Sequence, residues 1–309
     1  MRQLEKGPEV EDPVNRYVHR PLAYLFARAV SRTSMSPNQV TLLAVLVGAT
    51  AGIAFLIGSP EAMVFGGIAL WISAILDGAD GILARAKGTA SPHGRAIDGL
   101  ADAIVAVLTV FPAFYHIWEK HQDPFLVALM LPAVISANLH MSVYDYYKES
   151  FRHHTDLVRG GEGEEPAVVS ARQRASKEHG FLVWLAMTVI LDPYTRTQFR
   201  IIDRLDPGAS REGIRLHPTE QSAAIYREEN RLTMRLFTIL STAPHAYLMA
   251  IAAIFDRLDL YLYARVFLMN GILALAVVLQ RRATRRTNER LASLGVIERV
   301  DSRSLSLAV

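Results

Sequence analysis

Four aspartates in two spaced pairs mark the stretch Leu76–Ala103 (LDGADGILARAKGTASPHGRAIDGLADA) as the part of this sequence most able to do chemistry. Asp77 and Asp80 are three residues apart and Asp98 and Asp102 four apart, so on helices each pair occupies one face. A turn through Lys87–Pro92 would fold the two faces toward each other. Four carboxylates in one place repel one another and resist desolvation unless something positive joins them. The set contains no His or Cys, and the whole chain has no cysteine. Hard divalent cations with oxygen ligands therefore fit, Mg2+ or Mn2+ rather than Zn2+. Two such cations held by carboxylates stabilise charge on transferring phosphoryl oxygens. Gly81, Ala84 and Gly94 keep bulk away from the backbone where a ligand would approach, and Arg85 offers a planar fork suited to phosphate. Phosphoryl transfer is the chemistry this pattern points to. The alternatives are a chain of ion sites in a cation transporter and a solvated group at helix ends.

The elements that must position these residues are apolar helices. The 309 residues are 51% hydrophobic and 20% charged with a mean hydropathy of +0.19, a mixture that implies apolar blocks separated by polar ones. A membrane-crossing helix needs about 20 mostly apolar residues. Six such stretches can be marked: Asn38–Gly58, Ala62–Leu76, Ala103–Trp118, Phe125–Val143, Leu236–Phe255 and Leu258–Leu279. The Asp pairs end the second and begin the third. Ser36 followed by Pro37 predicts a sharply capped start to the first, and Gly48 with Gly52 would permit close helix packing, within one subunit before between two. The expectation is an all-α integral membrane bundle of six helices. It is preceded by an amphipathic juxtamembrane segment, Val14–Val30, interrupted at Pro21, with a long loop between helices 4 and 5. The corresponding division is 1–35 interfacial arm, 36–147 helices 1 to 4, 148–230 cytoplasmic insertion, 231–291 helices 5 and 6, and 292–309 tail. Within the insertion, Arg159–Pro166 reads as flexible and Phe181–Leu191 as an apolar run too short to span.

Charge sets the orientation. All of the 33 Lys and Arg except Lys120, Arg257 and Arg265 fall on one side of this topology, so both termini, the aspartate turn and the long loop are expected in the cytoplasm, with the bundle in a prokaryotic cytoplasmic membrane. The net charge of only +3 gives no reason to expect nucleic acid as a partner.

Asp77-x2-Asp80-Gly81-x2-Ala84-Arg85-x8-Gly94-x3-Asp98-x3-Asp102 resembles the complete signature of the CDP-alcohol phosphotransferase (phosphatidyltransferase) family, with no departure in residue type or spacing. The resemblance covers about the first half of the chain, including Ser36-Pro37-Asn38-Gln39-Val40-Thr41, similar to a segment those enzymes place near the nucleotide. It implies a six-helix membrane enzyme that releases CMP from a CDP-linked donor as an acceptor hydroxyl attacks. By this analogy Asp77, Asp80 and Asp98 bind metal, and Asp102 binds metal or serves as general base. Gly81, Ala84, Arg85, Ser91 and Gly94 would contact the CDP moiety, together with Asn38 and Thr41. A homodimer, membrane lipids as surroundings and two Mg2+ or Mn2+ ions per site are likewise implied. The first candidate donor is CDP-diacylglycerol with a small polyol or polyol phosphate as acceptor, a step of phospholipid synthesis. The reverse partition, with CDP-choline, CDP-ethanolamine or CDP-inositol as donor, uses the same motif.

Other residues carry two readings. Ser91 before Pro92 is good capping chemistry in its own right. His140, Tyr144 and Asp145 close the fourth span and could touch an acceptor or be buried satisfied polar groups. His153 and His154 read as solvated loop residues. Arg227, Arg231 and Arg235 could meet an acceptor phosphate or anionic headgroups.

Overall fold

The computed structural model describes residues 9–155, 184–185, 188–189, 192–209, 214–216, 219–295 and 297–299. Arg159–Pro166 and most of the run Phe181–Leu191 lie outside the described residues. The architecture is an all-α membrane bundle with six helices long and apolar enough to cross a bilayer: Pro37–Ile57, Pro60–Ala86, Ile97–His121, Pro124–Thr155, Glu220–Ile254 and Leu258–Ser293.

A π-helical turn, Asn15–His19, runs into α1 (Arg20–Val30) without a break. Pro21 falls in the first turn of α1, where its missing N–H is tolerated, so the juxtamembrane segment is continuous despite the proline. Helices α2 (Pro37–Ile57), α3 (Pro60–Ala86) and α4 (Pro92–His121) all open on Ser-Pro. Ser36 accepts from Gln39 N while the Gln39 side chain accepts from Ser36 N, a reciprocal capping box. Ser59 and Ser91 cap α3 and α4 by accepting from Ala62 N and Gly94 N. The chain can therefore reverse twice in few residues and return α4 beside α2 and α3.

Small residues decide how close these helices come. A Cβ at Gly52 would lie 1.8 Å from Leu108 O, and one at Gly48 would lie 2.9 Å from Val105 Cγ1. The Gly48/Gly52 spacing is thus a seam between α2 and α4 of the same chain. Phe55, Met63, Ala133, Ala250 and Leu262 belong to the core at the end of the bundle away from the aspartates. Ala23 and Ala27 of α1 pack with Val40, Ala79 and Leu83, which seats the amphipathic helix directly behind the motif.

The second half departs from expectation at its boundaries. Helix α5 (Pro124–Thr155) continues past residue 147, so His153 and His154 sit on its last turn, with His154 stacked on Tyr226 at 4.3 Å between centroids. After α6 (Asp192–Leu205), the fifth span begins at Glu220 as α7 (Glu220–Thr238) and breaks before α8 (Thr242–Ile254). Its charged first turns are held by buried partners: Asn230 Nδ2 donates to Thr287 Oγ1 and Gln280 Nε2 to Asn230 Oδ1. This is why apolarity alone misplaces the start. The sixth span is α9 (Leu258–Tyr263), a π-helical turn Ala264–Leu268, and α10 (Met269–Ser293). Arg265, which interrupts the apolar run of this span and was counted with the charges of the opposite side, is buried inside it. A short antiparallel ribbon joins β1 (Ile214–Leu216) to β2 (Ile297–Arg299), long-range pairing with no periodic signal to announce it.

Gly52→Ala is expected to lower stability by about 1–3 kcal/mol, since backbone rather than a movable side chain meets the new methyl. Gly271→Ala, where nothing lies within 4 Å, should be neutral or slightly stabilising. Thermal unfolding of the detergent-purified variants distinguishes the two; equal midpoints would contradict the close packing of α2 on α4.

Candidate active site

The last turns of α3 and the first turns of α4 bring the two aspartate pairs together. One carboxylate oxygen from each of Asp77, Asp80 and Asp98 lies within 4.8 Å of the others. Asp102 comes within hydrogen-bonding reach of Asp77. Asp80 is buried, Asp77 and Asp98 are half-buried, and Asp102 is the most exposed residue of the four. The donor set is all oxygen, compact and converging from two helices, which fits a hard divalent cation: Asp77, Asp80 and Asp98 would hold it, with Asp102 at the rim.

A third helix orients this set. Thr41 of α2 donates a hydrogen bond from its hydroxyl to Asp80 Oδ2, so this residue, expected near the nucleotide, acts on the buried carboxylate. Asn38 is exposed one turn earlier. Lys87 at the end of α3 donates from Nζ to Thr33 O (2.9 Å) and Met35 O (2.7 Å), fastening the loop before α2 to the aspartate turn. Sequence reasoning passed over Lys87 because its partners are backbone carbonyls more than fifty positions away.

The small residues leave room. Among the described residues, a Cβ at Gly81 would meet only Arg85 Nη1 at 3.5 Å, and one at Gly94 only Ser91 Oγ at 3.4 Å. Packing does not demand glycine at either position, unlike Gly52. Ala84 is half-buried, and Arg85 is exposed, close enough to Asp80 for their charges to interact. Ser91 spends its oxygen on Gly94 N at 3.0 Å, so its capping role is the one on view.

On the facing side, Asp145 of α5 lies near enough to Asp102 to act on its charge. Its carboxylate is shared by Lys148 Nζ and by the Tyr194 hydroxyl (2.9 Å), and it thereby holds α6 to α5. Burial, reinforced by the Asp145 carboxylate, pushes the Tyr194 hydroxyl to a higher pKa. Tyr144 donates to Val10 O (2.9 Å) and draws the N-terminal arm into the same wall. His140 is not at the site; it belongs to a buried network with His245 and Asn270. Arg227 donates to Thr155 O at the end of α5, while Arg231 and Arg235 are exposed on α7.

Comparison with known proteins agrees with this geometry. A match to the CDP-alcohol phosphatidyltransferase family spans residues 34–192, just over half of the 309-residue chain. The chain belongs to that family of transferases. It is also similar to a protein of Archaeoglobus fulgidus described as a bifunctional IPC transferase and DIPP synthase, 34% identical over 95 residues, 31% of this chain and 18% of that relative. The chain thus matches less than a fifth of that relative's length.

Thr41→Val removes the hydroxyl from Asp80 while keeping shape. It is expected to raise the Mn2+ concentration needed for half-maximal CMP release about 10–100-fold, with Thr41→Ser restoring it. An unchanged metal requirement would show that the hydroxyl does not orient the ligand.

Proposed function

We propose that this protein transfers a phosphatidyl or other substituted phosphoryl group from a CDP-linked donor to the hydroxyl of a small polyol or polyol phosphate, releasing CMP, with CDP-diacylglycerol as donor. The observation that carries the reading is the place where the carboxylates meet: the end of two membrane-spanning helices, beside an apolar face. On α4, next to Asp102, the side chains of Ile104, Val107 and Phe111 are 39%, 54% and 60% exposed. Only 17% of the apolar window of this span is buried, against 44% for the spans of α2, α3 and α5. Acyl chains can lie along such a face while the diphosphate reaches the aspartates and a water-soluble acceptor arrives from the aqueous side.

In this reaction the acceptor oxygen forms a bond to the donor phosphorus that carries the alcohol, and the bridging bond to the cytidylyl phosphate breaks. CMP leaves with the bridging oxygen, and the acceptor proton passes to a base. Mg2+ or Mn2+ held by Asp77, Asp80, Asp98 and Asp102, two ions as the family resemblance implies, would supply neutralisation of charge on the diphosphate oxygens. Asp102 suits the base because it is the most exposed residue of the four. Thr41 and the hydrogen-bonded end of α2 hold Asp80 in place. Gly81 and Gly94 leave the backbone open to the donor, and Arg85 provides charge for its phosphates. Asn38, Ala84 and Ser91 line the same end of the bundle. The bias of positive charge supports a cytoplasmic location for this end, both termini and the 148–230 segment. A homodimer, as the resemblance implies, is the assembly of this reading.

Purified protein incubated with CDP-diacylglycerol, CDP-inositol, CDP-choline or CDP-ethanolamine against a panel of polyols and polyol phosphates tests the reading. Metal-dependent CMP release is expected with CDP-diacylglycerol, reduced about 10²–10⁴-fold in Asp102→Asn. Release only from a CDP-linked soluble headgroup would reverse the assignment of donor, and no release from any donor would overturn it.

A further inference from the structure

The outer side of the last helix changes character abruptly. On α10 the exposed positions recur every three to four residues and form one continuous face, while Leu273, Ala276, Val277, Gln280 and Thr284 on the opposite face are buried in the bundle. In its first half this face is apolar: Gly271, Ala274, Leu275 and Val278 are exposed, Leu275 by 53% and Val278 by 51%. One turn further the same face becomes Arg281, Arg282, Arg285 and Arg286, all exposed. Arg282 stands seven residues after Leu275 and Arg285 seven after Val278, so each prolongs the line of a side chain already turned away from the bundle.

Packing accounts for only part of this charge. Arg281 is used internally: its Nε donates to Leu205 O and its Nη2 to Arg204 O (3.2 Å), which fastens the end of α6 to α10. Arg285 meets Glu289 in an open i,i+4 pair, with the two side chains 82% and 61% exposed, a contact of small energetic weight in water. Among the described residues no carboxylate pairs with Arg282 or Arg286. The end of α6 that Arg281 holds adds Arg200 and Arg204, exposed one turn apart, with Asp203 as the exposed acid between them.

Depth says what covers these arginines. From Arg281 to Arg286 the helix rises about 7.5 Å, close to the roughly 5–8 Å of headgroup layer on one side of a bilayer. The apolar stripe ends at Val278, so the guanidiniums stand at the level of the lipid phosphates on the aspartate side of the membrane. Zwitterionic headgroups answer each phosphate with their own ammonium, whereas headgroups of net negative charge leave it to the protein. We propose that Arg282, Arg285 and Arg286, with Arg200 and Arg204 beside them, form a docking surface for net-anionic phospholipid headgroups, which holds the sixth span and α6 against that leaflet.

The test is the association of spin-labelled phosphatidylglycerol and spin-labelled phosphatidylcholine with the purified full chain in phosphatidylcholine bilayers, read as the motionally restricted part of the electron paramagnetic resonance spectrum. Wild type is expected to prefer phosphatidylglycerol about 3–10-fold at low salt and to lose most of that preference at molar salt. The triple variant Arg282→Gln, Arg285→Gln, Arg286→Gln should bind the two labels nearly alike, and lysine at the same three positions should keep the preference. Should the glutamine variant not fold, the lysine variant and the wild-type salt series decide. Equal association of both labels with wild type would overturn the proposal. So would a preference that salt or the glutamine variant leaves unchanged, or one abolished by soluble polyglutamate, which would make the patch a surface for an acidic protein.

Discussion

Mutual repulsion among the aspartates is the constraint to which the rest of the bundle answers. Three of the carboxylates bring oxygens within 4.8 Å of one another. At an effective dielectric of about 20, each such pair of unit charges repels by about 3 kcal/mol, and the three pairs together rival the roughly 5–15 kcal/mol by which a whole protein is stable. The cluster is tolerable only where protons or cations neutralise part of that charge. An oxygen-only donor set of this kind would suit a hard cation and the phosphate oxygens such cations attract.

Holding four like charges together requires a rigid frame, and the first half of the chain provides it. Ser-Pro starts let α2, α3 and α4 reverse direction sharply. Gly52 lets α4 approach α2 until backbone meets backbone, and α1 closes the back of the motif through Ala23 and Ala27. Thr41 and Lys87 then couple α2 and the loop before it to the aspartate turn. The same frame leaves one flank of α4 uncovered, where the proposed lipid donor would lie. The second half is held differently, by buried polar pairs such as Tyr147 with Asp206 and Asn230 with Gln280.

Much of this was legible in the sequence because its signals are local. Apolar runs located the spans, Ser36-Pro37 located the start of the first, Ser91-Pro92 read as capping chemistry, and the aspartate spacing placed both pairs on facing helix ends. What escaped is long-range pairing. Nothing near Thr41 announces that its hydroxyl serves Asp80, and Lys87 looks like an ordinary charge at a helix end. The start of the fifth span was misplaced because Asn230 and Thr233 are buried by partners on α10 that no hydropathy window sees. Arg265 was counted on the outer side although it interrupts the sixth apolar run, and the bundle buries it. His140 had two open readings, and the buried network of His245 and Asn270 accounts for it. The Gly48/Gly52 pair was ambiguous for a related reason, since small residues permit a close approach without naming the partner.

The most direct measurement of the central claim is equilibrium Mn2+ binding to the purified protein, followed by electron paramagnetic resonance with and without a CDP-alcohol. The account predicts saturable Mn2+ binding that tightens when the CDP-alcohol is present and is lost in Asp80→Asn, because the carboxylates and the diphosphate share the ion. Mn2+ binding that is indifferent to the nucleotide and unchanged by Asp80→Asn would contradict it.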